Sequence, residues 1–155
     1  MNNIKISLAT GKDKKELTRW FQHYKVCSLI ANRVDCYISH NFTVLAKDTE
    51  KIIGVLQVYM KEDPKSGVAE FEEMHVLEQY RGKGVGSSLV EFAIDSVKKH
   101  FKKINLKPRK IFLFVADENL AARRLYEKYG FKFVTKVGDL FDDNRTELFF
   151  ILDLK

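Results

Sequence analysis

Apolar positions recur along this chain at two spacings, and each change of spacing marks a change of element. Ile4 to Leu8 alternates, as a half-buried strand does. From Lys12 to His23 the spacing becomes helical, with Leu17, Trp20, Phe21 and then Tyr24 on one side. A second helical piece is expected over Cys27 to Val34. Phe42 to Lys47 and Ile52 to Tyr59 read as strands joined by the polar turn Asp48-Thr49-Glu50-Lys51, a hairpin. A loop, Lys61 to Gly67, precedes a long strand, Val68 to Val76. Val85 to Phe101 then places Val85, Leu89, Val90, Ala93, Ile94, Val97 and Phe101 along one helical stripe. Lys110 to Ala116 is a nearly unbroken apolar run, typical of a strand buried on both faces. Asn119 to Tyr129 is helical and stops at Gly130, a good C-terminal cap. Phe131 to Val137 and Thr146 to Leu152 are strands around the turn Asp142-Asp143-Asn144. Hairpins at both ends with a β-α-β-α-β centre predict a mixed α/β fold, a central sheet flanked by helices, formed as one domain over residues 1–155.

Composition changes this picture little. Hydrophobic content of 45% and charged content of 31% suit a globular domain. No apolar run approaches the roughly 18 residues of a membrane span. The stretch Met1 to Leu8 carries one Lys and no long apolar core, so a cytoplasmic protein is expected. Cys27 and Cys36 match no zinc spacing, and His23, His40, His75 and His100 are scattered, so no metal is expected. The cysteines read as reduced thiols, a disulfide requiring Cα atoms within about 7 Å. The net charge of +6 owes much to Lys98, Lys99, Lys102, Lys103, Lys107, Arg109 and Lys110. That cluster lacks interleaved aromatic residues, so it reads as a solvated surface, with neither nucleic acid nor membrane as the expected partner.

The chemistry concentrates in Gln79-Tyr80-Arg81-Gly82-Lys83-Gly84-Val85-Gly86-Ser87, set between a strand and a helix. Glycines let backbone N–H groups approach an anion closely, and the helix N-terminus adds a positive dipole end. Two nucleotide signatures fail here. G-x-G-x-x-G finds Gly82 and Gly84 but then Ser87, and no strand-end acid follows about 20 residues on. G-x-x-x-x-G-K-[ST] fails because Ser87 follows Gly86.

The pattern that fits is Q/R-x-x-G-x-G/A, with Gln79, Gly82 and Gly84 in place. Downstream, Asn119 to Phe131 follows N-x-x-A-x-x-x-Y-x-x-x-G-F. These two segments, in this order and with this predicted structure, resemble the GNAT acetyltransferase superfamily. The resemblance implies that acetyl-CoA is the co-substrate. Its pyrophosphate would rest on backbone N–H groups of Arg81, Gly82, Lys83, Gly84, Val85, Gly86 and Ser87. The pantetheine arm would lie along the main chain of Met74, His75 and Val76, and Asn119 would hydrogen-bond it. Asn119 is also a natural helix N-cap.

Transfer to an amine requires the neutral amine, and taking a proton from an ammonium of pKa near 10.4 at pH 7 costs roughly 4 to 5 kcal/mol. Carboxylates Glu70, Glu72 and Glu73 stand on the strand entering the site. Strict alternation puts Glu70, Glu72 and Met74 on one face and Glu73 and His75 on the other, unless a bulge intervenes. The resemblance favours Glu72 as base and Tyr126 as the acid that protonates the departing thiolate. The bland counterparts are an acidic strand face that only attracts a cation and a tyrosine that only packs.

An N-acetyltransferase acting on a protein N-terminus, a lysine, a polyamine or another small amine is the leading expectation. Glu70, Glu72, Glu73 and Asp35 hint at a cationic acceptor. The alternative is a non-catalytic acyl-CoA-binding regulatory module on the same fold. Thr146 to Leu152, apolar on both faces, is either a central strand or part of a homodimer interface.

Overall fold

A computed structural model describes residues 4–24, 30–39, 41–61 and 63–154. Its strands are β1 (Ile4–Leu8), β2 (Phe42–Asp48), β3 (Lys51–Met60), β4 (Val68–Val76), β5 (Lys110–Ala116), β6 (Lys132–Gly138) and β7 (Thr146–Asp153). Its helices are α1 (Lys14–Tyr24), α2 (Ile30–Ser39), α3 (Val85–Lys103) and α4 (Leu120–Lys128). The strands form one mixed seven-stranded sheet in the order β1-β2-β3-β4-β5-β7-β6. β4 and β5 pair in parallel from Val68↔Lys110 to Phe71↔Leu113. The chain divides into two compact units, residues 1–60 with 73–93, and residues 61–72 with 94–155.

In the first unit, Leu17, Trp20 and Phe21 of α1 pack with Val34 and Tyr37 of α2 and with Leu45, Ile52 and Val55 of the β2–β3 hairpin. The predicted helix from Lys12 begins instead as a 3-10 turn over Gly11–Asp13. Asp13 explains the difference. Its carboxylate accepts from Thr10 N and Thr10 Oγ1 at 2.7 and 2.9 Å and pairs with Lys47 of β2. Gly54 lies at the contact with α3: a Cβ there would meet Leu89 Cδ1 at 3.1 Å and Val76 Cγ2 at 3.4 Å. The second predicted helix ran from Cys27 to Val34. Its first three positions lie outside the described residues, and α2 continues past Val34 to Ser39. Cys36 is a free thiol.

In the second unit β7 lies between β5 and β6, which explains apolar residues on both its faces. Leu148 and Phe150 are buried, and Phe133 of the edge strand β6 is half exposed against Phe150. No described helix is long and apolar enough to cross a membrane. Among the described residues no group of three or more His, Cys, Asp or Glu side chains is placed to hold a metal ion.

Candidate active site

The strand entering the glycine turn departs from simple alternation. Lys61 N donates to Val68 O at 3.3 Å, and Leu77 N donates to Ile53 O at 2.9 Å. Exposure shows the departure. Burial alternates from Val68 to Phe71, and then Glu72 and Glu73 are exposed in succession. The alternation expected of Glu70, Glu72 and Met74 against Glu73 and His75 therefore does not carry across the whole strand.

The turn itself is firmly tied. A 3-10 turn over Glu78–Tyr80 follows β4, with Tyr80 N on Leu77 O at 2.8 Å and Arg81 N on Glu78 O at 3.0 Å. Tyr80 donates its hydroxyl to Asp48 Oδ2 at 2.8 Å, and that bond raises the phenol pKa. Arg81 Nε turns back to Val76 O at 3.0 Å, and the Lys83 ammonium lies 5.7 Å from the centre of the Tyr80 ring. Gly82 and Gly84 adopt φ of 71° and 83°, the left-handed region that favours glycine. A Cβ at either would meet nothing within 4 Å, so the turn's outer side is open. Ser88 N donates to Gly84 O at 3.0 Å, which starts the helical bonding of α3. The N–H groups of Val85, Gly86 and Ser87 are the first-turn donors that a helix cannot satisfy from within. The first turn of α3 holds no acidic residue to compete for them. An open glycine turn ahead of a helix N-terminus can take an anion on its backbone donors.

Just before the turn, the His75 ring packs against Tyr24 of α1 in a tilted arrangement at 4.0 Å between ring centres and meets Trp20 edge-on at 5.8 Å. His23 packs on the same Tyr24 at 4.7 Å. Burial, then the electrostatic effect of Arg81 and His23, hold the His75 pKa below its usual value. Sequence reasoning counted His75 only for its main chain. The α1 spacing that put Trp20 and Tyr24 on one face was the available signal, but nothing in the sequence said which strand residue they would meet.

In the second unit, Asn119 caps α4, its Oδ1 accepting from Ala122 N at 3.1 Å. Tyr126 is buried on α4 and lies edge-on to Phe131 at 5.4 Å, and Phe131 in turn meets Phe71 at 5.8 Å. Glu70 is ion-paired with Lys61 at 2.6 Å, and Lys61 sits 4.8 Å from the centre of the Phe112 ring. Asp35, in the first unit, is paired with Lys14 at 2.7 Å. Two of the acids read as hints of a cationic acceptor thus already hold a lysine.

The fold recurs widely among solved structures. YncA of Salmonella typhimurium, solved with its cofactor acetyl-CoA, superposes with a TM-score of 0.79 at 18% identity, over 99% of this chain and 95% of that one. NAA60 of Arabidopsis thaliana, in complex with acetyl-CoA, gives 0.77 at 18% identity, over 98% and 99%. By sequence, the chain is 31% identical over 72 residues to the spermine/spermidine N(1)-acetyltransferase of Bacillus subtilis, a match covering 46% of this chain and 44% of that protein. The model of the acetyltransferase (GNAT) family matches residues 13–131. The chain belongs to that family.

Proposed function

We propose that this protein is an N-acetyltransferase that moves an acetyl group from acetyl-CoA to a primary amine by direct attack in a ternary complex. The observation that carries the reading is the open turn at Gly82 and Gly84, whose positive φ values and empty outer side suit a diphosphate on backbone donors. Backbone N–H groups from Gly82 to Ser87 hold that diphosphate, the Arg81 N–H being already engaged by Glu78 O, and the main chain of Met74, His75 and Val76 lies along the pantetheine. Asn119 caps α4 with its oxygen, which leaves its amide N–H groups to bond the ligand. Bound acetyl-CoA supplies a reactive thioester. Glu72 is the carboxylate that meets the acceptor ammonium, and its exposure supports that role. Tyr126 is the phenol for the departing thiolate.

Thermal denaturation with and without acetyl-CoA, followed by thiol release with an amine panel, tests the reading. Spermidine heads the panel because a similar relative is named for polyamines; a lysine peptide and a peptide with a free N-terminus complete it. Stabilisation by acetyl-CoA with thiol release for at least one amine is expected. Stabilisation without turnover across the panel would instead identify an acyl-CoA-binding module.

A further inference from the structure

We propose that the imidazole of His75 is the group to which the acceptor ammonium surrenders its proton. This rests on the acetyltransferase reading and identifies its base, leaving Glu72 to attract and orient the cation.

The geometry begins with register. The Leu77–Ile53 bond sets Val55 opposite His75, and Val55 belongs to the cluster beneath α1. His75 therefore projects toward α1, next to the residue that leads into the glycine turn. Tyr24 and Trp20 both pack on its ring, with interplanar angles of 37° and 79°. Yet His75 is only partly buried, and among the described residues no hydrogen bond engages either ring nitrogen. Buried side-chain polar atoms mostly find a hydrogen-bond partner. Here the ring packs on Tyr24 and Trp20, and its nitrogens have no protein partner among the described residues.

The surrounding charges keep it ready to accept. α1 presents His23 and the Tyr24 phenol, the turn presents Arg81, β4 itself carries Glu73 two residues back, and the residue opposite on β3 is Val55. Burial first, then Arg81 and His23, keep the ring neutral at pH 7. A carboxylate near pKa 4.3 lies roughly six units below an alkyl ammonium, and an imidazole stands closer to it.

The step balances simply. The ammonium gives one proton to the imidazole, and the freed lone pair forms the C–N bond to the acetyl carbon. The C–S bond breaks with its electron pair left on sulfur. The second proton lost from nitrogen goes to that sulfur, and the imidazolium returns its proton to water.

His75→Gln and His75→Phe test the assignment together, because phenylalanine keeps a ring against Tyr24 while losing the nitrogens. Both variants should keep the acetyl-CoA thermal shift, and both should lose about 100-fold in kcat at pH 7. The deficit should narrow toward pH 9, where more of the amine is already neutral. In the ligand-free chain, an NMR titration should place His75 below its usual midpoint of about 6.5. The acid limb of wild-type kcat/KM should follow that midpoint and vanish in His75→Gln. Activity within threefold of wild type in either variant, an unchanged acid limb, or a titration midpoint above pH 7 would overturn the role. If the wild type binds acetyl-CoA but acetylates no amine, the acetyltransferase reading falls, and this role with it. A wild type that turns over while His75→Phe matches it sinks only the role.

Discussion

Gly67, Gly82 and Gly84 share a positive φ but differ in what surrounds them. A Cβ on Gly67 would lie 2.4 Å from Lys107 O, a backbone atom that cannot move aside cheaply. Left-handed strain and the clash together should make Gly67→Ala cost about 2–4 kcal/mol, read from the shift of the urea midpoint. Gly82→Ala meets open space, so only backbone strain of about 1 kcal/mol is expected. Its acetyl-CoA affinity should nevertheless fall at least tenfold by calorimetry, because the methyl group occupies the side the ligand needs. Equal stability losses in the two variants would remove this distinction. Asp13 is a second local commitment. Burial favours its neutral form, but hydrogen bonds from Lys47 and Thr10 outweigh that, so its pKa is lowered. A depressed carboxylate pKa stabilises the fold above the unfolded value near 3.9 and loses that stabilisation as pH falls through the folded value. Lys47, raised chiefly by the same bond, keeps its contribution until the alkaline range. Asp13→Asn should therefore cost about 2–3 kcal/mol at pH 7 and markedly less at pH 2.5, by urea titration at both.

α4 and β4 show how much an element reveals of itself in sequence. The start of α4 was legible because Asn before an amphipathic run has a local physical reason, an oxygen for the orphan N–H groups of the first turn. Substitution separates that reason from ligand binding. Asn119→Ser restores a capping oxygen but removes the amide donors; Asn119→Ala removes both. Only Ala should lower stability, by about 1 kcal/mol, while both should weaken acetyl-CoA binding in calorimetry. If Asn119→Ser binds like wild type, the residue is a cap and nothing more. β4 was legible in extent, Val68 to Val76, but not in the facing of its acids. Which way a strand's acids face depends on how its neighbours pair with it. One strand's sequence does not contain that register. The contact of His75 with Tyr24 was hidden for a related reason, since it depends on where α1 packs.

Charge acts over the whole molecule, where sequence alone gives the total but not the assignments. The chain carries a net +6, and acetyl-CoA is anionic. Several cations are already engaged locally. Lys110 pairs with Asp153, Lys136 with Asp117 at 2.7 Å, and Arg81 bonds Val76 O. Lys98, Lys99, Lys102 and Lys103 remain on the exposed side of α3, which agrees with reading that cluster as a solvated surface. A net positive field speeds the arrival of an anion without fixing it in place, whereas backbone donors at the turn fix it without acting at long range. The two contributions respond differently to salt. Raising ionic strength from about 0.01 M to about 0.15 M shortens the screening length from roughly 30 Å to roughly 8 Å. Association of acetyl-CoA, followed by stopped flow, should slow several-fold over that range. Dissociation should change by less than twofold, because donors in direct contact with the diphosphate are barely screened. A dissociation rate that climbs with salt as steeply as association falls would mean that side-chain cations such as Arg81 and Lys83 hold the ligand. The glycine turn would then serve only to let the chain pass.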